Sequence, residues 1–451
     1  MADSGGLSAM VPPRVVVSPD KFKGSLPAAG VAAHVATGLR RAVDGVVVTE
    51  LPVADGGEGT VEAALAAGFT AVELTATGPL GEQRATRYAV RGTTAVIEMA
   101  AVSGLDMVTP DPATARHATS RGVGELVRHA LDHGARTIVL GVGGSASTDG
   151  GAGMVQALGV RLHGPALDDP ALDDPALDDP ALDDPALDDP ALDDPALDDR
   201  ALDDRAAGGG DLRALTGVDV TGLDPRLRET DVVLASDVDN PLLGPTGAAA
   251  VYGPQKGADA QTVAELDEGL ARWVRALAEA GVPDAVGLAQ APGAGAAGGV
   301  GYAALTLLGA RRRPGVDVVL ELTGFAARVR GADLVVTGEG SLDRQSLHGK
   351  APVGVAQAAA AAGVPVVAVC GRLALTPEHL ADAGIVAAYA LTDLEPDLAR
   401  CIAEPGPLLE RLGAQVAAVH LTVHLAEHPA EHPAERVTVH PAEHPADGGA
   451  R

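Results

Sequence analysis

Residues 14–60 read RVVVSPDKFKGSLPAAGVAAHVATGLRRAVDGVVVTELPVADGGEGT, and this stretch decides the fold class. A β-branched run, Val15 to Val17, gives way to a loop of Ser, Pro, Asp, Lys and Gly. An Ala-rich helical stretch from Pro27 to Ala42 follows, and a second β-branched run spans Val46 to Leu51. Strand, loop, helix and strand in that order form the repeating unit of a parallel sheet. Further runs stand at Ile138 to Val142, Val232 to Ala235, Leu334 to Thr337, Val364 to Val369 and Ile385 to Ala390. Helical stretches stand at Thr60 to Ala67, Gly151 to Leu158 and Pro352 to Ala362. Continuous apolar strands imply cover on both faces. Between Ala71 and Met99 the pattern changes to Thr/Val/Arg alternation without helices, which predicts antiparallel strands in a second domain. Ligands of parallel sheets bind beyond the carboxyl ends of the strands, so the candidate chemistry is sought there.

Composition narrows the class. With 451 residues, 46% of them hydrophobic, the chain can bury a sizeable core. No apolar run reaches the roughly 18 residues of a membrane span, and Met1 to Pro13 lacks a basic stretch followed by an apolar one, so a cytoplasmic protein without a membrane partner is expected. Cys370 and Cys401 are too few for a disulfide framework and predict buried, reduced thiols. Half of the formal charge of −28 is local: eight Leu-Asp-Asp units between Leu167 and Asp204 carry sixteen Asp, offset only by Arg200 and Arg205. That five-residue repeat, Pro165 to Arg205, predicts an extended, solvated loop, and the His-Pro-Ala-Glu repeats from about His420 predict a disordered tail. The remaining acidity disfavours a nucleic-acid partner. Lysine is scarce. Only Lys21, Lys23, Lys256 and Lys350 occur among 33 basic residues, each within three residues of a glycine, which suggests sites that want a compact cation, as phosphate sites do.

Six segments collect the polar chemistry. After the first strand, Ser18-Pro19-Asp20-Lys21-Phe22-Lys23-Gly24-Ser25 sets two ammonium groups before a helix, an anion-site pattern; Ser25 alone could be an N-cap. After the second, Asp55-Gly56-Gly57-Glu58-Gly59-Thr60 offers carboxylates that could hold Mg²⁺ or substrate hydroxyls, or simply cap a helix. The loop Gly143 to Gly153, with Ser145, Ser147 and Asp149, can turn backbone N–H groups toward phosphate. Ser236-Asp237-Val238-Asp239-Asn240 places a candidate base, Asp237, beside a second acid and an amide. Thr337-Gly338-Glu339-Gly340-Ser341-Leu342-Asp343, with Lys350 beyond it, suits a nucleotide phosphate and its metal. Gly293 to Gly301 contains a G-x-G-x-x-G spacing without a convincing preceding strand, and reads as a phosphate loop or as a tightly packed helix start. Their sum favours phosphoryl transfer, which needs cations, a metal-holding acid and a base more than a covalent nucleophile.

Five of these segments, taken in order, resemble the bacterial glycerate kinase family, from roughly Arg14 to Ala418. The resemblance implies ATP and Mg²⁺ as cofactors, D-glycerate as the small-molecule substrate and the 2-phosphate as product, in a monomer or homodimer. It also implies an α/β fold: a flavodoxin-like parallel-sheet domain made from both chain ends, 14–72 and 290–419, with a second, unusual α/β domain, 73–289, inserted between them and the site in the cleft. Onto this sequence it implies Lys21 and Lys23 as anion binders, and Asp55 and Glu58 as substrate or metal residues. Asp237 becomes the base, with Lys23 and Lys350 completing the catalytic set. Asp20, Ser25, Ser145, Ser147, Asp149, Asn240, Gly293, Gly295, Gly338 and Ser341 are carried as substrate or nucleotide contacts, and Asp239, Glu339 and Asp343 as metal ligands. Two competing classes remain, a nucleotide-dependent dehydrogenase and an organic-acid-sensing binding protein.

Overall fold

The computed structural model describes residues 12–164, 206–347 and 349–421. The whole Leu-Asp-Asp repeat, His348 and the tail beyond residue 421 therefore lie outside the described residues. Two parallel or mostly parallel sheets carry the fold. The first has five strands: β1 (Arg14–Pro19), β2 (Val47–Glu50), β11 (Leu334–Leu342), β12 (Val366–Leu373) and β13 (Ala387–Ala390). Their order is β13-β12-β11-β1-β2, all parallel, with Val15 opposite Leu334 and Val48. It is thus drawn from both chain ends. The second has six strands: β3 (Thr70–Thr77), β4 (Gln83–Arg91), β5 (Thr94–Glu98), β6 (Thr137–Gly141), β9 (Asp231–Ala235) and β10 (Arg311–Arg313). Their order is β10-β9-β6-β5-β4-β3; only the β3–β4–β5 meander is antiparallel, as its alternation predicts. A small antiparallel pair, β7 (Arg161–His163) and β8 (Gly217–Asp219), brackets residues 164–216.

Alternate residues of each strand serve opposite faces. In the first sheet Val15, Val17, Val336 and Val369 pack on Val31, Val35 and Leu39 of the helix Ala28–Ala42 and on Leu412 of the helix Pro405–His420. Val16, Val335 and Ala368 face the other way, onto Val355 and Ala359 of the helix Ala351–Ala360. Burial on both faces explains why these strands read as unbroken apolar runs. In the second sheet Ile97, Ile138, Leu140 and Leu234 enter the largest core, around Trp273 and Tyr302, while Val96, Val139 and Val233 face Val61, Ala64 and Val318.

Two helices join the halves. Thr60–Ala66 gives Ala63 to the first sheet's core and Val61 to the second's; Gly315–Leu322 gives Val316 and Val319 to the first and Val318 to the second. Two boundaries differ from expectation. Residues 290–313 do not belong with the first sheet, because Arg311–Arg313 pairs in parallel with β9. Likewise β3 already begins at Thr70. Three consecutive arginines carry no β-branched signal, so β10 is invisible to pattern reading.

Candidate active site

The carboxyl ends of both sheets point at a common cleft, and glycines set how closely they approach. The loop after β2 turns at Gly56, φ 84°, where a Cβ would meet the Gly315 Cα at 2.8 Å and the Ala235 carbonyl oxygen at 3.0 Å. A Cβ on Gly143, after β6, would lie 2.6 Å from the Gly57 Cα. Neither contact admits a side chain, so the loops following β2, β6 and β9 meet backbone to backbone.

Asp55 stands at the centre of this junction. It lines both a cavity of about 220 Å³ shared with Gly143, Ser145, Ser236 and Asp237 and a neighbouring one of about 520 Å³ shared with Asp20, Lys21, Lys23, Ser341, Asp343 and Lys350. Its charge acts on three other acids, raising the pKa of Asp20, Asp237 and Glu339. For each of them desolvation is the larger cause.

Asp237 follows β9. Its Oδ1 accepts from the Gly315 N–H at 2.7 Å, while its buried Oδ2 has no hydrogen-bond partner among the described residues. Burial pushes its pKa up to about 7, with Asp55 and Asp317 adding and the Gly315 N–H and Arg312 opposing. Glu339, on β11, is also raised by burial; its buried Oε1 has no hydrogen-bond partner among the described residues and its Oε2 lies 4.0 Å from Lys350 Nζ, at the N-cap of Ala351–Ala360. Buried carboxylate oxygens without partners are uncommon and mark places where a ligand proton or cation fits. Asp20 is pushed to about 7, chiefly by burial and against the pull of Lys21.

The lysines sit on a hairpin, not on a helix turn. Phe22 and Leu26 exchange backbone hydrogen bonds of 2.8 and 2.9 Å around Gly24, φ 72°, and the helix begins only at Ala28. Ser25 is not its N-cap; its Oγ donates to the Ile402 carbonyl at 2.5 Å. Lys21 Nζ donates to the Glu58 carbonyl at 2.6 Å and lies 4.0 Å from Glu58 Oε2, whereas Lys23 is exposed at the cavity wall. Ser341 Oγ donates to Asp343 Oδ2 at 3.4 Å, and Asp343 Oδ1 accepts from the Gln345 N–H at 2.8 Å.

Several expected contacts stand elsewhere. Asp149 is fully buried and accepts from Ser120 N–H (2.8 Å), Ser120 Oγ (2.6 Å), Gly151 N–H (3.0 Å) and Gly153 N–H (3.2 Å). It buckles the glycine-rich loop onto the next helix and is spent in doing so, against the expectation of a ligand contact. Ser147, also fully buried, offers its carbonyl to Lys256 Nζ at 2.5 Å. Asn240 is held by Thr246 and Tyr252. Asp239, expected to hold metal, is 79% exposed and paired with Arg312 at 2.7 Å, away from Glu339 and Asp343. Gly295 and Gly293 pack against Pro241 and Arg312, and Gly338 against Val369, so these glycines fill tight backbone contacts. Along Gly293 to Gly301 the glycines are close-packed at a helix start.

Pattern reading missed Glu98. At the end of β5 it accepts from the Gly59 N–H at 2.8 Å and the Val61 N–H at 3.0 Å, and burial raises it to about 7. Its sequence signal, one acid closing an alternating strand, is faint. Arg372, near the carboxyl end of β12 on the larger cavity, was also missed. Among the described residues no three His, Cys, Asp or Glu side chains are grouped to hold a metal by themselves, and no helix is long and apolar enough to cross a membrane. A metal held by one or two carboxylates and shared with phosphate oxygens, the usual manner of Mg²⁺, does fit Glu339 and Asp343.

Fold and cleft together define an α/β enzyme whose site collects buried acids and lysines from two sheets. The model of the glycerate kinase family matches residues 15–173 and 195–421. A Bacillus subtilis glycerate kinase is 39% identical over 90% of this chain and 97% of its own, and an Escherichia coli glycerate 2-kinase is 39% identical over 80% and 85%. A crystal structure of a Salmonella typhimurium protein, provisionally assigned as glycerate kinase 2, superposes with a TM-score of 0.70 at 37% identity, covering 92% of this chain and all of that one. The chain belongs to the glycerate kinase family. It is a kinase that phosphorylates glycerate, and neither the dehydrogenase nor the sensor reading is favoured.

Proposed function

We propose that this enzyme transfers the γ-phosphoryl group of ATP to the 2-hydroxyl of D-glycerate, in the cytoplasm and with Mg²⁺. The observation that carries the reading is Asp237: a buried carboxylate with one oxygen fixed by the Gly315 N–H and the other without a partner among the described residues, at a cavity that Asp55 joins to a lysine-lined one. A base works best with a pKa near the working pH, and burial brings Asp237 to about 7.

In this mechanism Asp237 accepts the proton of the substrate hydroxyl at Oδ2, and the Gly315 N–H keeps the carboxylate from turning away. Lys23 and Lys350 balance the charge of phosphate oxygens, a task for point cations. Lys21, tethered to Glu58, holds the hairpin that carries Lys23. Asp55 and Asp20 keep the local field negative opposite those lysines, so that the hydroxyl proton is drawn toward carboxylate. ATP supplies the phosphoryl group and Mg²⁺ offsets its charge, with Glu339 and Asp343 as the residues that would hold the metal. Regiochemistry and nucleotide dependence have one direct test. The protein is incubated with Mg-ATP and D-glycerate and the product assigned by phosphorus NMR. The expected signal is the 2-phosphate; ADP without any phosphoglycerate refutes the proposal.

A further inference from the structure

The larger cavity has a wall that the chemistry above does not use. Beyond Lys23, Lys350 and Arg372 it is bounded by Phe22, Leu391, Leu398 and Ile402. Phe22 and Leu391 are 3% and 1% exposed and so are fixed in the core, whereas Leu398 and Ile402 are 48% and 47% exposed. These two stand four residues apart on the helix Leu398–Ala403, hence on one face of it. Large apolar side chains left bare on a cavity wall, next to cations, are what a ligand with one flat apolar end and one anionic end needs. The wall is also tied to the cations, because Ser25 of the lysine hairpin donates to the Ile402 carbonyl at 2.5 Å.

Size separates the two cavities. The one beside Asp237, about 220 Å³ and lined largely by glycine, serine and carboxylate, is small; the one with the apolar wall is about 520 Å³. The geometry points to a division of the cleft in which Leu398 and Ile402 receive the base of a nucleoside phosphate, Lys23, Lys350 and Arg372 receive its phosphates, and the cavity beside Asp237 receives the three-carbon acid. This rests on the phosphoryl-transfer reading and names which end of the cleft serves which ligand.

The test is direct binding of ADP and of inorganic tripolyphosphate, measured by calorimetry on the full chain, for the native protein, Leu398→Asp and Ile402→Ala. Both side chains are half exposed, so neither substitution should disturb folding, and tripolyphosphate binding reports that the cation row is intact. The expected result is a Kd for ADP raised about tenfold or more by Leu398→Asp, and less by Ile402→Ala, with the Kd for tripolyphosphate and the KM for glycerate unchanged. Equal ADP affinity in all three proteins, alongside formation of phosphoglycerate by the native one, overturns the subsite and leaves the kinase reading standing. Failure of the native protein to bind ADP or to form phosphoglycerate overturns both.

Discussion

At the scale of single residues the cleft is governed by burial. Asp237 has one oxygen held by Gly315 and one without a partner among the described residues, and the proposed base can act only when ionised. With a pKa of about 7, kcat/KM should climb as pH rises through about 7 and decline on the acid side. Asp237→Asn should lower kcat by about a hundredfold or more and abolish that limb, which a steady-state pH series would reveal. An unchanged acid limb in the variant would assign the titration to another group. Asp237 was legible because it follows a β-branched run directly. Asp149, expected as a ligand contact in the glycine-rich loop, is instead consumed by Ser120 and two glycine N–H groups. Sequence shows that an acid lies at a strand end but not how many donors surround it, and Ser120 lies far along the chain from Asp149.

Among the elements, the junction of the loops after β2, β6 and β9 sets the cleft's width. Gly315 opens the helix Gly315–Leu322, donates to Asp237 and lies within contact of the Asp55 carbonyl. Gly315→Ala should therefore force the two sheets apart, destabilising the protein by about 1–3 kcal/mol and lowering turnover together with it. Denaturant unfolding and kinetics on one preparation check both; lost turnover at unchanged stability would show that only the Asp237 hydrogen bond was disturbed. Glu98 is a separate case. It satisfies two N–H groups at the start of Thr60–Ala66, so Glu98→Ala should cost about 1–3 kcal/mol of stability by leaving both unpaired. The strands β1, β6, β9, β11 and β12 are readable as apolar runs because each is covered on both faces; β2, an edge strand with Val47 46% exposed, is read from its β-branched residues alone. Strand β10 is not readable, since Arg311–Arg313 owes its place to the neighbouring strand rather than to its own composition.

For the whole molecule, two consequences can be measured. Asp20, Glu98 and Asp237 each carry a folded pKa of about 7 against ordinary values of 3.8 to 4.5. The folded state thus holds protons that the unfolded state has released, so these groups make the ligand-free protein less stable as pH rises from about 4 to about 7. Thermal unfolding across that window should show the slope, and Asp237→Asn should flatten it. The second concerns residues 165–205. His163 pairs with Gly217 across β7 and β8, and the Ala207 N–H bonds Gln156 Oε1 at 3.1 Å, so the flanks are anchored in the core on both sides of the repeat. Replacing 165–205 by a short Gly-Ser linker should leave kcat within about twofold and the melting temperature unchanged; loss of activity would give the repeat a role that its composition does not announce. Strand β1 lies between β2 and β11, so that Val15 waits for Leu334 before its sheet can close. On the ribosome, then, Glu339 and Lys350 follow Lys23 and Asp55 only after the whole second sheet has been made. An interrupted chain therefore holds only half of the cleft, because the early residues have no facing wall until the late ones arrive.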